Sequence, residues 1–312
     1  MPLDVICVGV ATVDTIAVVP EMPGADDRVV AEPFVTACGG PAATAAVALA
    51  RLGARVGFCG VVGDDDAGRL VRAGFEREGV DTTWLRTVPG QPTTTSMVIA
   101  ARSSGTRAIV TTPQYAPGPQ AVPVDAAAWL HADQTGYRSA LTAARAAAAA
   151  GARRPKLSVD AGNPIPGLDL DGVDLYVPTT AALAREFGTD DVDDGLRAAA
   201  KAGAGAVVAT AGSTGSHVLD GDDVAVVAPF RVEVASTIGA GDVFHGALLA
   251  GLVAGGSLTE AARLANAVAA LSCRALDGRS AIPNRAEADA FLLAETPDAR
   301  PPRHDTGDTH DE

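Results

Sequence analysis

Lysine is nearly absent from the 312-residue chain: Lys156 and Lys201 are the two it has, and neither follows a glycine-rich loop. A P-loop, whose lysine reaches the β- and γ-phosphates from such a loop, is therefore excluded. Aromatic residues make up 4% of the chain, which leaves few side chains to place against a nucleobase. No apolar run reaches the length of a membrane span without a charge; the alanine-rich segment 140–152 comes nearest, and Arg145 interrupts it. The opening MPLDVICVGV has no basic stretch before its apolar run, so it does not read as a secretory leader. Cys7, Cys38, Cys59 and Cys273 form no CxxC pair, and the five histidines have no zinc-ligand spacing. These cysteines read as reduced, structural thiols of a cytoplasmic protein. Positive charge is also short, with 24 Lys and Arg against 38 Asp and Glu, a net charge of −14 and a pI near 4.7. Such a surface repels nucleic acid and anionic membranes and leaves a small molecule as the default partner.

What is present is a core. Hydrophobic residues form 47% of the chain, and neither an internal repeat nor a long linker divides it, so residues 1–295 read as one domain. The segment 296–312 is rich in proline and charge and is predicted to be a disordered acidic tail. Residues 3–10 form a β-branched apolar run suited to a strand buried on both faces. Further buried strands are predicted at 55–62, 127–131, 157–159, 175–177 and 206–210, with helices at 138–150, 181–187 and 196–202 between the later ones. This βα alternation predicts a doubly wound α/β fold, closed by helices at 258–275 and 285–293 after a hairpin at 218–227. Residues 15–19, 28–35, 93–101 and 106–112 read instead as strands of a second, small sheet, a flap over the main one.

The chain centres on residues 234–253, VASTIGAGDVFHGALLAGLV. Gly239, Ala240 and Gly241 leave backbone N–H groups uncovered where an apolar helix pattern begins, which makes a helix N-terminus open to an anion. Asp242 follows, and it reads either as a favourable helix start or as a general base beside a transferring phosphoryl group. Asp14, just past the first strand, is either a turn cap or a ligand-binding carboxylate. Gly39 and Gly40 precede a helix that starts at Pro41, which is either a plain turn or a close approach of ligand to backbone. Asp64, Asp65 and Asp66 read as the cap of the helix that stops at Gly79, without the spacing of a calcium loop.

Taken in order, Asp14, Gly39-Gly40, VGDDDAGRLV, ATAGSTG and GAGDVFHGAL resemble the ribokinase family of sugar kinases, also called the PfkB carbohydrate kinases, over about residues 3–293. The resemblance implies a ribokinase-like doubly wound α/β sandwich with a small β-sheet lid, formed here from about 15–36 and 93–112, which also pairs two copies as a homodimer. It implies ATP and Mg2+ as cofactors and Asp242 as the catalytic base, with the N–H groups of Gly239, Ala240 and Gly241 as its anion hole. Asp14, Gly39, Gly40 and Thr44 would hold the sugar, and Arg138 would serve as a further substrate contact. Thr210, Gly212 and Gly215 would lie along the nucleotide, with Asn266 near the adenine. No residue is assigned as a metal ligand.

Within the family, GGPAATAA and AALSCRALDGRSAIP are most similar to the branch that includes bacterial sulfofructose kinase. The chain departs from relatives at Ser236, where they place an aspartate that organises a monovalent cation, at Thr179 and Ala182, where they place Asn-x-x-Glu, and at Thr44. The implied activity is phosphorylation of a primary hydroxyl of a ketohexose or modified ketohexose, sulfofructose included. A nucleoside kinase of the same fold and a non-catalytic sugar-binding regulator are the alternatives.

Overall fold

The first strand sets the layering. In the computed structural model, which describes residues 2–32 and 34–295, β1 (Leu3–Val8) is buried from Val5 onward and sends alternate side chains to opposite faces. Val5 and Cys7 enter one core, and Ile6 and Val8 the other. The tail predicted to be disordered lies outside the described residues.

Around β1 the chain lays down β4 (Val56–Gly63), β5 (Leu85–Val88), β8 (Ala127–Ala132), β9 (Lys156–Ala161), β10 (Leu175–Pro178), β11 (Ala206–Thr210), β12 (Ser216–Asp220) and β13 (Asp223–Val227). With β1 these form a nine-stranded sheet in the order β13, β12, β11, β10, β9, β8, β1, β4, β5. Pairing is parallel from β5 to β11, and β12 and β13 then run antiparallel as a hairpin. The strand β5 was not predicted: LRTV is short, exposes Arg86 and Thr87, and is held as an edge by parallel pairing to β4.

Helices α1 (Pro41–Arg51), α2 (Asp66–Arg77), α6 (Ala240–Val253), α7 (Leu258–Ser272) and α8 (Arg285–Ala294) cover one face of the sheet. Helices α3 (Tyr137–Ala149), α4 (Thr180–Phe187) and α5 (Val192–Lys201) cover the other. The predicted α/β sandwich is therefore present. Chain order leaves β1 in opposite directions, towards β4 through α1 and towards β9 through β8 and α3, which creates the crevice where open α/β sheets take ligands. Asp65 caps α2 as predicted, its carboxylate accepting from Gly68 N at 2.8 Å.

A separate four-stranded sheet has the order β3, β2, β6, β7, with β2 (Thr12–Val19), β3 (Val35–Gly39), β6 (Thr95–Ala101) and β7 (Arg107–Thr111). Two boundaries differ from the prediction. The strand β2 begins at Thr12, so Asp14 lies inside the lid and not in a turn before it. The described residues of 28–34 form no strand; Val30 is 84% exposed, and the segment makes a single backbone bond to β2, from Glu32 N to Val18 O at 2.9 Å, instead of a ladder. Pairing resumes at Val35 and ends at Gly39, immediately before α1.

Candidate active site

The N-terminus of α6 opens on an unshielded backbone. Gly239, its cap, holds φ at 74° and no side chain caps the helix, while a Cβ placed on Gly241 meets nothing within 4 Å. Ala240 N donates to Thr237 O at 3.3 Å and Val243 N to Gly239 O at 2.9 Å. The N–H groups of Gly239, Gly241 and Asp242 have no partner among the described residues. Of the three groups predicted for the anion hole, only the Ala240 N–H donates among the described residues, in a long turn bond. Val243, Phe244, Ala247 and Leu248 anchor the helix in the core, and Gly246 lets it approach α1 so closely that a Cβ would lie 2.4 Å from Ala45 O.

Asp242 is half-buried in the first turn of α6. Burial, with the negative charges of Asp160 and Asp133, pushes its carboxyl up to about 7, against the opposing charges of His245 and Arg279. Asp160, next to the last residue of β9, pairs with His245 Nε2 at 3.1 Å, while Gly162 N donates to the same Oδ1 at 2.9 Å. Burial raises the Asp160 carboxyl, but His245 prevails and holds it below the usual range. Conversely, burial opposes charge on His245, and Asp160, its hydrogen bond and Asp242 outweigh burial and raise it. His131, 5.5 Å from the His245 ring, is driven down to about 3 by burial and by His245, and its Nδ1 meets Ser158 Oγ at 3.2 Å. His245, whose charged form Asp160 and Asp242 favour, thus stands beside His131, whose charged form is disfavoured, behind the Asp242 side chain that the helix presents.

Asp133 organises the crevice. Its carboxylate accepts from Val10 N, Thr135 N and Gly136 N at 2.9 Å and from Ala42 N at 3.3 Å, which ties the end of β1 to the starts of α1 and α3. Burial pushes it up to about 6 despite those donors.

The predicted acceptor residues converge. Thr12 Oγ1 donates to Asp14 Oδ1 at 2.8 Å, and the Asp14 carboxylate covers Gly39 so closely that a Cβ there would lie 1.9 Å from Oδ2. Burial raises the Asp14 carboxyl, opposed by hydrogen bonds from Thr12 and Ser96 and by the charge of Arg279. Gly40 has φ of 96°, and a Cβ on it would stand 2.3 Å from Val10 O. Arg279 joins these parts: its Nη2 donates to Gly39 O at 2.9 Å and its Nε to Thr44 Oγ1 at 3.2 Å. Arg138 is placed elsewhere, its Nη2 donating to Pro166 O at 3.2 Å.

On the other side, Thr210 ends β11, and Gly212 opens a tight turn with φ of 58° and free space where a side chain would stand. Gly215, with φ of 99°, packs against Val227 O, which a Cβ would approach to 2.1 Å. Asn266 is buried and spends its amide on the carbonyls of Val227 and Ala228, both at 3.1 Å, which fixes the segment after β13. Sequence reasoning missed Arg279, Asp133, Asp160 and His245. His245 stands one turn after Asp242 inside the quoted motif, but no local pattern signals its partner on β9.

A doubly wound sheet, a lid and an open helix start bearing a carboxylate make an arrangement that can present backbone N–H groups to an anion. The pfkB family carbohydrate kinase model matches residues 2–285, and the chain belongs to that family of ATP-dependent sugar kinases. It is 27% identical over 295 residues to a ribokinase from Haemophilus influenzae, covering 91% of this chain and 96% of that one. It is 32% identical over 271 residues to an ATP-dependent ribose-1-phosphate kinase from Halopiger xanaduensis, covering 82% and 86%. The structure of Arabidopsis thaliana ribokinase complexed with ribose and ATP superposes with a TM-score of 0.79 at 25% identity, covering 94% of this chain and 99% of that one. Among the described residues no group of three or more His, Cys, Asp or Glu side chains could hold a metal.

Proposed function

We propose that the protein transfers the γ-phosphoryl group of ATP to a primary hydroxyl of a ketohexose or modified ketohexose, with Asp242 as the general base. The observation that carries this reading is the position of Asp242, in the first turn of α6 beside unpartnered N–H groups and within the electrostatic field of Arg279, which also binds Gly39 and Thr44. Asp242 takes the proton of the attacking hydroxyl as its oxygen bonds to phosphorus, and the bond to the β-phosphate oxygen breaks to release ADP. The N–H groups of Gly239, Gly241 and Asp242 receive the charge on the transferring group. Magnesium, when bound, neutralises the phosphates. Asp14 orients sugar hydroxyls, and the segment from Thr210 to Gly215 accommodates the nucleotide.

Polar lining supports a sugar over a nucleoside. Asp14 is hydrogen-bonded by Thr12 and Ser96 and lies in the field of Arg279, which also holds Thr44, and these groups suit hydroxyls better than a stacked base. Two lids pair in our reading to form a cytoplasmic homodimer. Its support is the outer strand β7, where Ile109 and Val110 are 55% and 70% exposed, with Met97 beside them on β6.

The test is ATP consumption with magnesium and D-fructose, D-tagatose, D-ribose, 6-sulfofructose, fructose 6-phosphate or adenosine. Turnover of a ketohexose that falls by about 10² to 10⁴ in Asp242→Asn is the expected result. Equal activity in the variant refutes the mechanism. Activity confined to adenosine refutes the acceptor, and sugar binding without turnover points to a regulator.

A further inference from the structure

Arg279 stands in the loop between α7 and α8, and its backbone is fixed from both sides. Asp277 Oδ1 accepts from Arg279 N at 2.8 Å and from Ser280 N at 2.6 Å, while Arg51 Nη1 donates to the carbonyls of Arg279 and Ile282, each at 2.8 Å. Arg51 is in turn paired with Glu78 at 2.7 Å. The side chain is fixed too. Its guanidinium carbon lies 5.8 Å from the centre of the Phe75 ring, Nε is held by Thr44 and Nη2 by Gly39 O. Nη1 makes no hydrogen bond among the described residues.

A guanidinium so firmly mounted, with one nitrogen to spare, is built to donate to something absent from the chain itself. Its surroundings indicate what. Arg279 makes no direct ion pair among the described residues, yet its charge acts on both Asp14 in the lid and Asp242 on α6. Glu78, Asp277 and the Cys38 thiol also interact with its charge. The other arginines near the lid and α3 have separate contacts: Arg102 with Glu32, Arg107 with Thr237 Oγ1 and Arg138 with Pro166 O.

We propose that Arg279 determines acceptor specificity by donating from Nη1 to an uncharged sugar oxygen next to the hydroxyl that faces Asp242. The inference rests on the kinase reading above and adds the residue that chooses the acceptor. Asp14 and Asp242 both lie within the field of the guanidinium, so an anionic group brought against Nη1 would also approach two acidic side chains. A hydroxyl or ring oxygen accepts the same hydrogen bond without that repulsion. The ionised donor strengthens the bond, and leaving it unmade inside the closed site is costly, so sugars that lack the oxygen are rejected.

The experiment is steady-state kinetics of the full chain on the six-acceptor panel above, with ATP and magnesium, for the parent, Arg279→Met, Arg279→Lys and Asp242→Asn. For a neutral ketohexose, Arg279→Met is expected to raise the acceptor KM by about 10- to 100-fold, the range for a hydrogen bond to a charged group. The KM for ATP is expected to stay within about twofold, because the guanidinium faces the acceptor side. Arg279→Lys keeps the charge and the packed stem, so it supplies the measurement if the methionine variant does not fold, with a smaller rise in the same constant. Parent activity with an unchanged acceptor KM in both variants overturns this inference alone. So does a parallel rise in both KM values, which marks a structural role, or a penalty confined to 6-sulfofructose and fructose 6-phosphate, which marks an anion site. A parent silent on the whole panel overturns the kinase reading and this inference together.

Discussion

Replacing Asp242 by asparagine should stabilise the ligand-free protein, and increasingly so as pH rises from 5 to 7. Burial, with Asp160 and Asp133, pushes the Asp242 carboxyl from its ordinary value of 3.8 up to about 7. The fold therefore binds this proton more tightly than the unfolded chain does. The resulting stability is fully present below about 3.8 and has been lost once pH passes about 7. An amide never ionises, so the variant escapes that loss. Each pH unit between the two values is worth about 1.4 kcal/mol, so the advantage of the variant should widen by about 3 kcal/mol between pH 5 and 7 and then level off. At about 2 °C per kcal/mol for a chain of this size, the melting temperatures should separate by roughly a further 6 °C. The assay is paired thermal and urea unfolding at pH 5, 6, 7 and 8 without nucleotide or magnesium. A gap that does not change with pH, or an asparagine variant less stable than the parent at pH 8, would refute the argument that the site strains this carboxylate. The loss of turnover in the same variant would then record a catalytic group kept at the expense of stability.

Two further outcomes are expected. Asp160→Asn breaks the buried pair with His245 and should cost about 3 to 5 kcal/mol in urea unfolding at pH 6, where the charge and hydrogen bond of Asp160, against burial, favour the protonated His245; a cost below about 1 kcal/mol would mean the pair is not ionised. Val110→Asp on the exposed face of β7 should convert a lid-paired dimer to monomers in size-exclusion chromatography with light scattering, and a monomeric parent would remove the basis for the pairing.

The fold was legible where a local pattern had a single physical solution. Residues 206–210, predicted as a strand, match β11 (Ala206–Thr210), because a β-branched run between glycines and a turn fits little else. The helix bearing Asp242 was legible because three small residues preceded a continuous apolar pattern. The segment 28–34 misled because an apolar run becomes a strand only where a ladder forms beside it, and here a single backbone bond reaches β2. In the site, Asp14, Gly39 and Gly40 were found as isolated signals; Arg279, which binds Gly39 O and acts on Asp14, lies inside the quoted run AALSCRALDGRSAIP but was not singled out within it. Asn266 was assigned through resemblance to the adenine, while its amide holds the Val227 and Ala228 carbonyls.

By itself the sequence determined the α/β class, the absence of a P-loop lysine and the open start of α6, because each depends on residues close together in the chain. Tertiary structure alone decided which charges surround Asp242. Asp133 just after β8, Asp160 from β9, His245 from α6 and Arg279 from the loop after α7 meet only when the parallel sheet brings its strand ends to one edge. A carboxylate's proton affinity is set by burial and by charges a few ångströms away, and distance along the chain carries no record of either.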